Sequence, residues 1–308
     1  MSGKFQSGIA GLTAGARLLF FQRTGNRTGV SMHSTVQQIL QKKRQASPIA
    51  MVTAYDYPTA RIEEQAGVDV ILVGDSVGTN VLGYESECEV TMDDMMHHLG
   101  AVVRGAPNSC IMVDMPFGSA SEPQRTLENA RKLTGAGAHI VKIEGWEEKQ
   151  TIISFLSRNG ISVCGHIGYN PQYHGPKGRI FGKDAAVAAT LVRSALRLEA
   201  AGAVMLIAEK IPEQLADVIS AKTAIPVIGI GSGRFCDGQV LVFHDIVGLG
   251  WRTFRHARAY ADMRKEAESA LTEYVREVNE HLFPSDEHAW RMKEAVLNDV
   301  VSALDADQ

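Results

Sequence analysis

Four acidic residues in this sequence directly follow short apolar runs, where parallel strands would deliver them to one place. They are Asp75, Asp114, Glu144 and Glu209. The carboxyl ends of parallel strands meet at one edge of a sheet or one mouth of a barrel. Carboxylates gathered there would repel one another unless a cation lay among them. Hard oxygen ligands with open positions favour Mg²⁺, completed by water or by a substrate.

The clearest of these runs is Val70–Val73, which has no polar alternation and ends in Gly74-Asp75-Ser76. Such a run is typical of a strand covered on both faces. Taken alone, Asp75 could equally cap the next helix or close a turn. Because three other predicted strands also end in an acidic residue, we favour a role for Asp75 in a functional site.

A lysine and a histidine accompany the acids. Lys142 precedes Glu144 by two residues, so on a strand both side chains face the same way. There Lys142 could hold a substrate carboxylate, or it could form a structural ion pair with Glu144. His166 follows the fifth apolar run, where it could donate a hydrogen bond, ligate a metal or serve only as a hydrogen-bonded structural residue.

Short apolar runs alternate with helical stretches eight times, which predicts a (β/α)8 barrel of the TIM type. The candidate strands are residues 49–53, 70–73, 111–113, 140–143, 161–164, 204–207, 227–230 and 240–243. The clearest helical segments are residues 57–66, 92–104, 123–135, 185–201 and 212–222. A doubly wound open sheet is the alternative, but the first strand-to-helix turn lacks the glycines of a nucleotide-binding loop. The glycine cluster at 229–233 favours a tight turn over an anion site.

Beyond residue 252 the pattern changes to amphipathic helix, predicted over 254–271, 274–282 and 287–304. We therefore expect a barrel over residues 32–262. The helices of residues 263–308 would pack on that barrel or on a neighbouring subunit.

Composition narrows the function further. The net charge of −4 and the lack of clustered basic and aromatic residues argue against a nucleic-acid partner. No apolar run approaches the length of a membrane span. The four cysteines show no C-x-x-C spacing, so neither a zinc site nor a disulfide framework is indicated.

Residues 1–31 form a basic extension, since no Asp or Glu precedes Asp56. Two interpretations remain open. The segment resembles a transit peptide, which would place the protein in mitochondria. Alternatively, the segment is an upstream extension or Met32 is the true start, and the protein is cytoplasmic. In either case we expect residues 1–31 to be poorly ordered.

A series of ordered motifs resembles the ketopantoate hydroxymethyltransferases, the 3-methyl-2-oxobutanoate hydroxymethyltransferases of pantothenate biosynthesis. The resemblance runs from about Met32 to about Trp290. Its motifs are Thr53-Ala54-Tyr55-Asp56, Gly74-Asp75-Ser76, Asp114-Met115-Pro116-Phe117, Lys142-Ile143-Glu144-Gly145, Gly165-His166-Ile167-Gly168, Gly231-Ser232-Gly233 and His244-Asp245.

The resemblance implies a barrel enzyme that transfers a one-carbon unit from 5,10-methylenetetrahydrofolate to 3-methyl-2-oxobutanoate, giving 2-dehydropantoate through a Mg²⁺-stabilised enolate. It also implies a homo-oligomer, commonly a decamer. The implied Mg²⁺ ligands are Asp75, Asp114 and Glu144. The implied substrate contacts are Asp75, Ser76, Asp114 and Lys142, to which we add His166. The implied proton acceptor is Glu209.

Four departures from the family pattern lie near the expected site. Trp146 stands where the family has a second glycine, and Lys210 where it has cysteine or glycine. Cys88-Glu89 replaces a Leu-Pro pair, and the segment 169–183 is shorter. Two alternatives therefore stay open: a Mg²⁺-dependent C–C lyase or phosphomutase of a related barrel acting on another 2-oxo acid, and a non-catalytic homologue.

Overall fold

A closed barrel of eight parallel strands forms the centre of the protein, in a computed structural model that describes residues 33–175 and 178–306. The strands follow sequence order around the barrel, and β8 pairs with β1. They are β1 Ile49–Thr53, β2 Val70–Val73, β3 Cys110–Asp114, β4 Ile140–Lys142, β5 Val163–Gly168, β6 Met205–Glu209, β7 Val227–Ile230 and β8 Gly238–Val242. The predicted (β/α)8 barrel is confirmed. The basic extension 1–31 lies outside the described residues.

Helices precede, connect and follow these strands. They are α1 Ser34–Arg44, α2 Tyr57–Ala66, α3 Met92–Gly105, α4 Pro123–Gly135, α5 Gln150–Arg158, α6 Pro171–His174, α7 Ala185–Ala200, α8 Glu213–Lys222, α9 Phe243–Val247, α10 Met263–Asn279 and α11 Glu294–Ala306. A π-helical turn lies at Gly78–Leu82, and 3-10 turns lie at Glu87–Glu89, Glu147–Lys149 and Asp286–His288. In the described residues no helix has the length and apolar character needed to span a membrane.

Local signals explain why α2 was predicted at its observed bounds. The Asp56 side chain accepts a hydrogen bond from the backbone N–H of Thr59 at 2.8 Å, and a proline occupies the first turn. Gly67, with a φ of 79°, then ends the helix in the left-handed conformation. Both ends therefore carry residues with strong cap preferences.

Four predictions of secondary structure were wrong. Strand β5 runs over Val163–Gly168 instead of 161–164, because it keeps pairing with β6 through Gly165 and His166. The residues from 254 to 262 are not helical, and α10 begins after Asp262, whose side chain accepts a hydrogen bond from the N–H of Lys265. Helix α10 also continues through the break predicted at 272–273, and α11 begins at residue 294 instead of 287.

The chain divides into two compact units. Among the described residues, the first holds the barrel and comprises 33–175, 178–246 and 250–258. The second comprises 247–249 and 259–306. Within it, the Tyr274 and Phe283 rings lie 5.6 Å apart and Arg276 pairs with Glu273 at 2.7 Å. The predicted packing of this tail stays a prediction.

Side chains alternate between two buried layers along each strand. Met112, Ile140 and Ile207 belong to a cluster inside the barrel, distinct from the larger layer between strands and helices. Side-chain direction repeats every two residues on a strand. Asp114, Lys142 and Glu209 each stand two residues beyond one of these interior positions. The strand ends therefore direct polar groups into the carboxyl-terminal mouth.

One buried acid lies outside this mouth. Glu63, on α2, is only 3% exposed, and neither of its carboxyl oxygens has a hydrogen-bond partner within residues 33–175 and 178–306. Burial raises its pKa to about 9, and the nearby charge of Asp56 adds to the shift. An unpaired buried carboxyl is costly to ionise, so Glu63 is protonated at neutral pH.

We expect Glu63→Gln to remove part of the pH dependence of stability. Between the unfolded pKa, about 4.3, and the folded pKa, about 9, the folded state binds one proton more than the unfolded state. The free energy of unfolding therefore falls as pH rises through this window, and Glu63 accounts for up to about 1.4 kcal/mol of that fall per pH unit. Urea unfolding at several pH values should show a smaller loss in Glu63→Gln than in the wild type.

Glu64→Gln is the matched control for that measurement. Partial desolvation alone would raise the pKa of Glu64, but hydrogen bonds from Asn108 and Ser109 lower it overall. Glu64 is therefore ionised above neutral pH in both the folded and the unfolded protein. Its variant should keep the wild-type slope between about pH 6 and 9. Identical slopes in Glu63→Gln and the wild type would show that Glu63 is ionised in the folded protein.

Candidate active site

Lys142 lies at the centre of the polar groups in the barrel mouth. Register places it directly beside Asp114 on the neighbouring strand, and its Nζ donates to Asp114 Oδ1 at 2.7 Å. The same ammonium group lies 3.4 Å from Glu144 Oε1. All three side chains are buried. The ion pair between Lys142 and Glu144 that the sequence left open is present, with Asp114 as the closer partner.

Asp75 joins this group through its backbone as well as its side chain. Its N–H donates to Asp114 Oδ2 at 3.0 Å, so Asp114 accepts from two neighbouring strand ends. A Cβ on Gly74 would lie 2.9 Å from Ser76 Oγ, so a side chain at that position would displace the Ser76 hydroxyl. Ser76 Oγ is 2.8 Å from the hydroxyl of Tyr55, a buried ring from the turn after β1.

Gln172 is a site residue that sequence reasoning missed. Its Nε2 donates to Asp75 Oδ2 at 2.7 Å and to the carbonyl of Met115 at 3.1 Å. Its backbone N–H donates to Glu144 Oε2 at 3.1 Å. The short helix α6 therefore links two of the carboxyl groups. The available signal was a polar residue just after Pro171, four residues beyond the end of β5.

His166 connects the acid cluster with Glu209. Its Nε2 lies 2.6 Å from the carbonyl of Tyr169, and its Nδ1 makes no hydrogen bond in the described part of the chain. The ring lies 3.7 Å from a carboxyl oxygen of Glu144 and 3.7 Å from one of Glu209. Burial and the charge of Lys142 lower the pKa of His166 well below its usual value. The neutral ring donates through Nε2, which leaves the Nδ1 lone pair available.

Glu209 ends β6 and stands slightly apart from the other acids. Burial raises its pKa to about 8, and the charge of Glu144 adds to the shift while Lys210 opposes it. The Lys210 Nζ lies 3.6 Å from Glu209 Oε1. A carboxyl with a raised pKa is a suitable proton acceptor near neutral pH.

Excess negative charge characterises the cluster around Lys142. Burial raises the pKa of Asp75 well above its usual value, and the charges of Asp114 and Glu144 add to the shift. Burial also raises the pKa of Glu144, although Lys142 opposes it. Burial disfavours the Lys142 ammonium group, yet the three carboxyl groups hold its pKa well above its ordinary value. Three acids therefore share one cation, and the raised pKa values of Asp75 and Glu144 reflect that shortage of positive charge.

Comparison with known proteins decides the family. The model of the ketopantoate hydroxymethyltransferase family matches residues 33–286. The 3-methyl-2-oxobutanoate hydroxymethyltransferase of Thermotoga sp. (strain RQ2) is 48% identical over 258 residues, 82% of this chain and 96% of that protein. The enzyme of the same name from Bacillus cereus (strain AH187) is 45% identical over 84% of this chain and 95% of its own length. The chain belongs to the ketopantoate hydroxymethyltransferase family. The family and the enzyme class predicted from the sequence are both confirmed.

Solved structures with little sequence identity share the fold. Phosphonopyruvate hydrolase superposes with a TM-score of 0.56 at 14% identity, covering 89% of this chain and 98% of that one. The 2,3-dimethylmalate lyase, a member of the PEP mutase/isocitrate lyase superfamily, gives 0.54 at 13% identity, covering 90% and 99%. At this identity the likeness concerns the barrel alone.

The two single-residue departures from the family pattern lie beside the cluster. Lys210 adopts a φ of 47°, a left-handed conformation that glycine adopts without strain. Its Nζ lies 4.2 Å from the centre of the Tyr169 ring. The Trp146 indole N–H donates to the carbonyl of Gly168 at 3.0 Å, and its ring meets Phe181 edge-on. Both side chains therefore contact the segment between β5 and α7, which the sequence comparison had singled out as short.

The chemistry of the cluster fits a divalent cation. Among the described residues no three or more His, Cys, Asp or Glu side chains are grouped so that they could hold a metal ion together. Mg²⁺, however, is commonly bound through one or two carboxylates, with water and substrate completing the shell. Buried carboxyl oxygens in excess over cations, with the unpartnered Nδ1 of His166 beside them, suit that mode. The assignment of Asp75, Asp114 and Glu144 as metal ligands stays a prediction.

Proposed function

We propose that the protein transfers a hydroxymethyl group from 5,10-methylenetetrahydrofolate to 3-methyl-2-oxobutanoate, forming 2-dehydropantoate in pantothenate biosynthesis. The observation that carries the proposal is the buried cluster of three acids and one lysine at the strand ends, with a separate proton-accepting acid across His166. Family membership supports the same reaction.

Substrate binding falls to the groups around Lys142. Its ammonium group would hold the carboxylate of the 2-oxo acid, and the Ser76 hydroxyl would donate to the same anion. Asp75 and Asp114 would contact the substrate beside them. His166, neutral and with a free Nδ1, would accept a hydrogen bond from a bound water or hydroxyl.

Asp75, Asp114 and Glu144 would hold the Mg²⁺ ion, one or two of them directly and the others through bound water. When bound, Mg²⁺ supplies Lewis-acid chemistry that withdraws charge from a keto group and acidifies the adjacent C–H. The protein contributes the fixed orientation of these carboxyl groups, through the hydrogen bonds from Lys142 and Gln172.

Glu209 is the residue that we assign as base. Its carboxylate takes the proton from C3 of the 2-oxo acid, and C3 forms a bond to the methylene carbon of the folate as one of that carbon's two bonds to nitrogen breaks. Water then supplies the hydroxyl oxygen of the product as the second carbon–nitrogen bond breaks. Tetrahydrofolate leaves with the C3 proton and one proton of the water on its two nitrogens. The raised pKa of about 8 gives Glu209 the basicity that this step needs.

Deuterium exchange at C3 of 3-methyl-2-oxobutanoate tests the assignment. Proton NMR in D₂O should show exchange with Mg²⁺ and none with EDTA, followed by product formation once methylenetetrahydrofolate is added. Absence of exchange under all conditions would overturn the function. Exchange without transfer would instead indicate a lyase or another acceptor chemistry, and a non-catalytic homologue would show neither.

Cys164 gives the lyase and phosphomutase alternative no support. Cys164 is completely buried inside the barrel, and burial raises the pKa of its thiol. A thiol held in this state is a poor nucleophile.

Assembly and compartment complete the proposal. We infer a homo-oligomer, a decamer by resemblance to the family. We infer a cytoplasmic enzyme, or a mitochondrial one if residues 1–31 are a transit peptide.

A further inference from the structure

A cavity of about 220 Å³ opens beside the acid cluster, between the loop after β3 and helix α6. Its floor includes Glu144 and Gln172, two members of the cluster. Asp75, Asp114 and Lys142 do not line it. The cavity is therefore a separate approach to the site, divided from Asp75 by the Gln172 amide.

Two aromatic rings form the outer rim of this cavity. Phe117 and Tyr173 are about half-exposed, at 47% and 50%, and their ring centres lie 6.0 Å apart at an angle of 71°. The remaining walls are mostly small or apolar, namely Met115, Pro116, Gly118 and Ala120. Large apolar rings held open to solvent beside a catalytic cluster are typical of ligand-binding surfaces.

Buried contacts hold the rim in place. The Lys149 Nζ donates to the carbonyl of Ala120 at 3.0 Å and lies 5.5 Å from the centre of the Tyr173 ring. Lys149 is itself 9% exposed. A cation over an aromatic face is attractive, so the Tyr173 ring is positioned before any ligand arrives.

We propose that the Phe117–Tyr173 cavity binds the pterin head of the folate co-substrate. This assignment rests on the proposed function, which requires a second reactant to reach the C3 carbon from a side that the 2-oxo acid does not occupy. A flat heteroaromatic bicycle stacks on aromatic rings, whereas a short branched 2-oxo acid offers them no flat face.

Size determines which part of the folate enters. Cavities for complete drug-sized ligands measure about 300–1,000 Å³, and this one is smaller. It accommodates the bicyclic head, while the aminobenzoyl-glutamate portion extends past the half-exposed rim into solvent. The methylene carbon on the head would then face Glu144 and Gln172.

Steady-state kinetics with both substrates test the proposal, with direct titration of tetrahydrofolate as a second readout. In Phe117→Leu and Tyr173→Ala we expect the KM for methylenetetrahydrofolate, and the Kd for tetrahydrofolate, to rise about tenfold. The KM for 3-methyl-2-oxobutanoate should change by less than about twofold. Tyr173→Phe keeps the ring and should restore the wild-type KM for the folate.

Phe235→Ala is the matched control. Phe235 is 49% exposed and lines a pocket with Pro48 and Asp237, at the amino-terminal end of the strands. Its replacement should leave both KM values unchanged. Unchanged folate KM and Kd values in Phe117→Leu and Tyr173→Ala, or a rise confined to the KM for the 2-oxo acid, would overturn the cavity assignment. Failure of the proposed function is distinguishable, because the wild type would then form no product.

Discussion

Asp114→Asn is expected to lower the Mg²⁺-dependent exchange at C3 of 3-methyl-2-oxobutanoate by at least about 100-fold. Asp114 accepts from Lys142 through one oxygen and from the Asp75 N–H through the other. Asparagine preserves the shape but removes the charge that holds the ammonium group and attracts the metal. Breaking one partner of a buried charge pair is costly, because the other charge is left uncompensated.

Exchange should be followed by NMR, and Mg²⁺ binding by calorimetry in the absence of substrate. The second measurement reports on the cluster without turnover. Asp217→Asn is the matched control, since Asp217 is exposed on α8 and lines the pocket that also contains Phe235. Wild-type exchange and wild-type Mg²⁺ affinity in Asp114→Asn would remove Asp114 from the site.

Glu209→Gln is expected to lower C3–H exchange by about 10³-fold, within the range for loss of a general base. The amide cannot accept the substrate proton at any accessible pH. Binding of Mg²⁺ and of the 2-oxo acid should persist, because Glu209 lies beside the His166 ring and the Lys210 ammonium group and is not one of the carboxyl groups that contact Lys142. We therefore expect kcat to fall while the KM for the 2-oxo acid changes little.

Single-turnover exchange at saturating substrate measures this loss. Glu213→Gln serves as control, because Glu213 lies four residues downstream and pairs with Arg234 instead of with a member of the acid cluster. A Glu209→Gln enzyme that exchanges at the wild-type rate would require a different base. Within the described site, His166 would then be the group to examine, since its Nδ1 carries an unused lone pair.

Elements with strong local signals were predicted at or near their observed bounds. Helices α2 and α4 both begin beside a proline and an acidic cap, and strand β2 is an uninterrupted apolar run. Strand β5 was misplaced because Gly165 and His166 interrupt its apolar pattern, although pairing with β6 continues through them. At β5 the apolar pattern alone predicts a shorter strand, whereas backbone pairing with β6 extends the strand to Gly168.

In the carboxyl-terminal tail, the apolar pattern predicted a helix over residues that are not helical. Residues 254–262 have an amphipathic pattern, yet the helix begins only after Asp262 supplies a cap. Hydrophobic periodicity indicates which segments can be helical, whereas capping determines where a helix begins.

The sequence by itself determined three things: the barrel fold, the acidic residues at the strand ends, and the family. These follow from residue type, strand periodicity and motifs that are local in the chain. Tertiary structure alone decided that Asp114 is the closer partner of Lys142, and that Gln172 links Asp75 to Glu144. The Phe117–Tyr173 cavity likewise emerged only in the folded chain. Gln172 and Asp75 are 97 residues apart, and their contact depends on barrel closure and strand register, which no short stretch of sequence encodes.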